Sequence, residues 1–233
     1  MTLARPWLSA TAAAAAAGVL ALAPVTRADA QQPAGPAGVA ASLACPPPGG
    51  LTISRTGREI VASMEGALSG DVSASGDATL HRFGVYDLDR HGNWELTKQI
   101  AYRTETGNRI PEVQAYGHDS LLVEEAAFST TAGNSEELYA VANINAAPDV
   151  SNVANLSLAP AKDVVAKKLV ANLVGCPTLG APSRETQANP LLDNYEGMTI
   201  VGGPGLAGVS LISDDNFSAT QFTRVLNLLV KLP

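Results

Sequence analysis

Apolar residues along this chain fall in short runs rather than in helical stripes. Segments 51–54, 59–64, 80–88, 94–102, 121–124, 138–144, 168–174, 198–201, 209–212 and 223–230 are each of strand length. Between them stand Arg55-Thr56-Gly57, Arg90-His91-Gly92-Asn93, Gly117-His118-Asp119 and Gly202-Gly203-Pro204-Gly205, which supply the Gly and Asx residues of tight turns. Only 161–173, AKDVVAKKLVANL, carries apolar residues at helical spacing as well as a β-branched centre, so it reads either way. The pattern predicts an all-β protein.

An internal echo refines that expectation. Gly49-Gly50-Leu51-Thr52-Ile53, a turn and a second run ending in Glu65 match Glu196-Gly197-Met198-Thr199-Ile200, a turn and a run ending in Asp214-Asp215. Each copy is strand, turn, strand, acid. A repeated hairpin that delivers an acid at one end is what a β-propeller blade does, although two short hairpins also resemble each other by chance.

The ends of the chain change the picture in two ways. Arg5, an Ala-rich apolar stretch from Leu8 to Ala23 and Ala28-Asp29-Ala30 read as a secretory signal peptide over residues 1–30. Residues 31–50, rich in Ala, Pro and Gly, read as a linker, leaving 51–233 as the domain. No later run approaches a membrane span, so the expectation is a secreted, extracellular protein. Export makes a disulfide between the two cysteines, Cys45 and Cys176, the expected state, with two unrelated thiols as the alternative. The net charge of −7 and the lack of a basic cluster argue against nucleic acid and anionic membranes as partners, and suit a cation. Oligomeric state is not legible.

Candidate chemistry concentrates near the C-terminus. Glu196, Asp214, Asp215 and Asn216 stand where apolar runs meet loops, a costly place for carboxylates unless a cation, an Arg or a substrate compensates them. As oxygen donors they form a candidate metal site, Ca²⁺ above all, with Glu65 as a further ligand. The alternative is an Asx turn at Asp214-Asp215-Asn216 and a Glu196 bonded to nearby backbone N–H groups. No G-x-S-x-G elbow is present, His81, His91 and His118 lack zinc spacing, and the Gly202–Gly205 loop has no Lys or following helix.

The tail NPLLDNYEGMTI…LISDDNFSATQF resembles the closing segment of the phytase-like, "esterase-like activity of phytase" family of secreted bacterial proteins. Upstream, GREIVASMEGAL, TLHRFGVYDLD, RIPEVQAY, LLVEEAAF and NAAPDVSNVANL follow in the family's order. The resemblance implies a partial, β-propeller-like fold with antiparallel blades and a phosphoester hydrolase activity, to which the cluster of oxygen donors adds the expectation of a divalent cation. The resemblance implies Glu196, Glu65, Glu112 and Glu125 as catalytic candidates and Arg82 as a phosphate clamp. Glu112 and Glu125 also read as ordinary strand-end acids, and Arg82 as the partner of Asp87 or Asp89. Two positions depart from the family: Gly49 where a Glu is expected, and Ala126 where an Arg is expected. The alternative function is a non-catalytic extracellular propeller that binds a ligand, or a truncated remnant.

Overall fold

The computed structural model describes residues 48–233, and these are nearly all β. The signal peptide, most of the linker and Cys45 lie outside the described residues. The chain makes three antiparallel sheets, each a simple meander. The first holds β1 (Pro48–Ile53), β2 (Glu59–Met64), β3 (Leu80–Leu88) and β4 (Trp94–Arg103), in that order. The second holds β5 (Arg109–Tyr116), β6 (Ser120–Ser129), β7 (Gly133–Ala142) and β8 (Lys167–Asn172). The third holds β9 (Tyr195–Val201), β10 (Gly205–Ser213) and β11 (Val225–Leu232).

The first strands of the sheets lie together, with β5 against both β1 and β9. This is the radial arrangement of propeller blades. It is an open array, because one face of the third sheet and much of the outer face of the first remain in solvent, the end of the latter at Leu80 and Ala101 being covered by Val150 and Leu156. The expected antiparallel, propeller-like, all-β architecture is therefore present. The ambiguous segment resolves into a 3-10 turn at Ala161–Asp163 followed by β8.

Two cores hold the sheets together. Val61, Phe83, Ile100, Val113 and Val123 fill the space between the first and second sheets, where the rings of Phe83 and Tyr102 stack at 5.1 Å. Leu122, Leu138, Tyr195, Val209 and Leu211 fill the space between the second and third. The central strand β6 is thus buried on both faces, and its sequence loses the alternation of a half-exposed strand. Burying such side chains contributes about 1.5–3 kcal/mol each, which drives the docking of one sheet on another.

Two local devices complete the frame. The connection from β7 to β8 crosses to the first sheet, where Val165 N–H donates to the Ala101 carbonyl and Val164 bridges Ala101, so the edge of β4 is covered. Gly49 and Gly50 let β1 approach the backbone of β5. A Cβ on Gly49 would fall on the Ile110 carbonyl oxygen, and one on Gly50 on the Val113 nitrogen. No side chain fits at 49, so the family's Glu has no room there.

Candidate active site

The site begins with an irregularity in β5. Arg109 pairs across the sheet with Ala126, whereas Glu112 pairs with Glu124, so β5 carries one extra residue between them. Pro111 sits in this bulge, where a missing N–H breaks no ladder bond. In a regular strand, residues three apart point to opposite faces. The bulge turns Arg109 and Glu112 onto the same face, the one that looks toward the third sheet.

Arg109 is the hub. Its Nη1 lies 3.1 Å from Glu65 Oε1, its Nη2 lies 3.1 Å from Glu196 Oε1, and the same Nη2 donates to Asn194 Oδ1 at 2.7 Å. Glu65 follows β2, Arg109 opens β5 and Glu196 belongs to β9, so one guanidinium ties all three sheets at one end of the inner strands. The cation that compensates these carboxylates is an arginine of the chain itself.

The DNYEG motif is built to present this hub. Asn189 donates through Nδ2 to the carbonyls of Leu173, Val174 and Cys176, and its Oδ1 accepts from Leu191 N–H, which pins the entering loop. Asp193 accepts from Phe222 N–H and pairs with Arg224 at 3.2 Å. Tyr195 is buried and donates to the Leu191 carbonyl at 2.7 Å. Asn194 and Glu196, on either side of Tyr195, are thereby aimed at Arg109.

Behind the hub lies a group of carboxyls. Glu112, Glu124 and Glu136 share the face of the second sheet that Arg109 occupies, Glu136 being diagonal to Glu124 across β6 and β7. Glu124 is fully buried, and neither of its carboxyl oxygens has a hydrogen-bond partner; Glu136 Oε2 is likewise buried and unpartnered. Burial, and then the charge of Glu112, push the Glu124 carboxyl up to about 8. Burial, and then Glu124, raise Glu136 well above the usual carboxylate range. Burial also raises Glu112, whose Oε1 accepts from Val113 N–H at 2.8 Å. At neutral pH this pocket holds at least one proton rather than a set of bare charges.

The other expected site residues stand apart. Glu125 points to the opposite face of β6, between the first and second sheets. There it accepts from Tyr102 Oη and Lys167 Nζ, both at 2.6 Å, from Glu105 N–H at 2.8 Å and from Asn108 Nδ2. Arg82 pairs with neither Asp87 nor Asp89. Its Nε and Nη2 grip Asp71 at 2.7 and 2.8 Å, and its remaining N–H groups reach Gln99 Oε1 and the carbonyls of Val150 and Val153. All five donors are consumed, so this guanidinium has none left for a phosphate in this arrangement.

The Ser213–Ser218 segment forms turns. Asp214 Oδ1 accepts from Asn216 N–H and Asp215 Oδ1 from Phe217 N–H, each at 3.0 Å, while Asn216 and Phe217 adopt positive φ. Among the described residues, no three of His, Cys, Asp and Glu converge as a metal-holding group. Glu65 and Glu196 face a guanidinium, and Asp214 and Asp215 face their own backbone. The residues present therefore do not fit the expected Ca²⁺ site of Glu196, Asp214, Asp215 and Asn216. Cys176 is half-buried and forms no disulfide with a described residue; its expected partner Cys45 lies outside the described residues, and the bridge is not shown.

The functional residues missed by sequence reasoning are Arg109, Glu124 and Glu136. RIPEVQAY points to its Glu rather than its Arg, and LLVEEAAF to the second Glu rather than the first. A usable signal exists in the second case: Glu124 shares the alternation of Leu122 and Ala126, which marks it as facing a different layer from Glu125.

The family described as phytase-like, esterase-like activity of phytase, matches residues 47–217, and the chain belongs to it. No curated protein and no solved structure matches the chain. Ala126, where the resemblance leads one to expect an Arg, lies directly across from Arg109. The guanidinium of this site thus comes from the neighbouring strand.

Proposed function

We propose that this member of the phytase-like family is an exported phosphoester hydrolase whose working end is the Arg109 hub with Glu196, Glu65 and the carboxyls behind it. The observation that carries the reading is the placement of a buried, proton-holding Glu124 behind a guanidinium that gathers residues from all three sheets within the family-matched span. Phosphoryl transfer asks for cationic donors toward the phosphoryl oxygens and a proton for the departing alkoxide. Arg109 supplies a planar fork that matches a phosphate once the carboxylates yield it. Glu124 carries a proton at neutral pH, and Glu196, partly exposed, is placed to orient or deprotonate an attacking water. Export rests on the Ala-rich leader.

The test is turnover of a model phosphomonoester and a phosphodiester by the mature chain. The expected result is hydrolysis that falls by about 100-fold or more in Glu124→Gln and in Arg109→Ala, with far-UV circular dichroism unchanged. Wild-type protein without turnover across the panel overturns the reading.

A second reading is a non-catalytic extracellular binding protein. It is favoured by the closure of the site, since Glu124 has no solvent exposure and Arg109 is engaged on three sides. It predicts no turnover together with a raised melting temperature on adding a phosphoester, because a ligand that binds only the native state stabilises it.

A further inference from the structure

The first and third sheets end the array. The third leaves one face uncovered, and the first leaves uncovered the part of its outer face away from Leu80 and Ala101, which pack on Val150 and Leu156. On the third sheet, register puts Gly197, Ile212 and Val225 in one row and Val201, Gly208 and Leu229 in another, all turned away from the core row of Met198, Leu211 and Leu226. Val201 and Leu229 are 75% and 76% exposed there, and Leu206, Ile212 and Val225 are exposed beside them. Lys231 is the only charged strand residue on this face.

The uncovered face of the first sheet has the same character. Leu51 shares a row with Ala62 and Gly84, and Ile53 shares one with Tyr86 and Leu96. Leu51, Ile53, Leu96 and Trp94 are exposed, and a cavity of about 130 Å³ lined by Met64, Leu68, Tyr86 and Leu96 opens among them. Its two arginines are engaged within the chain, Arg82 with Asp71 and Arg58 with the Leu88 carbonyl. A sheet with one face in water alternates apolar-in with polar-out. The third sheet keeps one polar row, Thr199, Ser210 and Asn227, between two apolar ones, and the first keeps Gln99 at the end of the Leu51 row. Both faces are thus apolar in patches rather than polar throughout. In a chain of net charge −7, neither carries a strand carboxylate.

We propose that a second copy of this chain covers both faces: the open face of the first sheet in one copy packs on the open face of the third sheet in the other, twice over, about a two-fold axis running along the inner strands. The packing continues an interface already present. Within one copy, β5 of the second sheet meets β1 on one side and β9 on the other. The same step taken beyond the third sheet meets a first-type sheet of another copy. Two arrays of three sheets make six blades, inside the range of about 4–8 that closed propellers use. Two acidic molecules repel at long range, and faces free of carboxylates are where they approach at least cost. A pairing of unlike faces closes into a ring when the rotation per copy divides a full turn, and with two copies when that rotation is a half-turn; otherwise it grows into a filament. Closure faces the Arg109 hubs of both copies toward one axis.

The experiment is the molar mass of the full mature chain by light scattering at about 50 μM, a concentration suited to interfaces of micromolar or tighter affinity. The expected mass is that of a dimer. Leu229→Glu on the third sheet and Ile53→Glu on the first each give folded monomers by circular dichroism. An equimolar mixture of the two variants regains dimer, because one unmodified pair of faces survives in the mixed species. A monomeric wild type overturns the proposal, whatever else covers the faces. So does a dimer broken by only one of the two substitutions, which is a like-with-like interface, and so does mass that grows without limit.

Discussion

Glu124 and Glu125 are neighbours on β6, both fully buried, and they live in opposite electrostatic worlds. Glu125 faces the first sheet and finds a phenol, an ammonium, a backbone N–H and a side-chain amide. Lys167, which supplies the ammonium, also sits 4.0 Å above the Tyr139 ring. Glu124 faces the third sheet and finds two more carboxyls, no hydrogen-bond partner for either of its oxygens, and a guanidinium, Arg109, whose bonds go to Glu65, Asn194 and Glu196. Depth alone does not decide how an interior acid is accommodated. The groups that the opposite layer offers decide it: both oxygens of Glu125 are given donors, whereas Glu124, buried with no partner for either oxygen, is pushed toward its protonated form.

The strongest way to break this comparison is to remove each acid in turn. Glu125→Leu leaves the Tyr102 hydroxyl without its acceptor and Lys167 with only the exposed Glu105, and should cost about 3 kcal/mol in urea unfolding. Glu124→Gln, which removes a group that has no partner, should be near neutral or stabilising at pH 8. Equal losses from the two substitutions would refute the distinction.

A pH series sharpens it next. The ordinary value of a Glu carboxyl is 4.5 and folding lifts that of Glu124 to about 8, so between these limits the native state holds a proton that the unfolded chain has released. Stability should therefore fall as pH rises from about 4.5 to 8, with a slope of up to about 1.4 kcal/mol per pH unit for each such proton, and level off above. Denaturant midpoints of Glu124→Gln across that range should show a shallower fall by one proton's share.

Smaller effects come from the rim. Arg109→Met removes ion pairs that are partly exposed, and should cost about 1 kcal/mol at neutral pH. Because Arg109 lowers the Glu124 value, the same substitution should move the pH transition upward. The smallest effects belong to Asp214→Asn and Asp215→Asn, which weaken single Asx turns; melting temperatures should register about 0.5 kcal/mol or less for each.

Much of the fold is legible in the chain. The runs 59–64 and 80–88 coincide with β2 and β3, because those strands alternate cleanly between core and surface. The strand that escapes is β5. Arg109, Pro111, Glu112 and Gln114 interrupt its apolar pattern, and it is these departures that build the bulge and aim the hub. The acid at Glu65 is legible through the repeated hairpin, and Glu196 through its unusual motif. Their partner is not, since it lies 44 residues from one and 87 from the other. Arg82 misleads for the opposite reason: an arginine in a strand announces its charge but not the Asp71 loop that consumes it.

The Arg109 hub also has a kinetic meaning. Each sheet is a meander of sequence neighbours and can assemble from short-range pairing, which is the fast kind. The bonds from Arg109 to Glu65, Asn194 and Glu196 exist only when all three sheets have docked. They reward the last step of folding rather than the first. Their loss therefore hastens unfolding more than it slows folding, and the rate at which the native array comes apart is governed at the end where its inner strands meet.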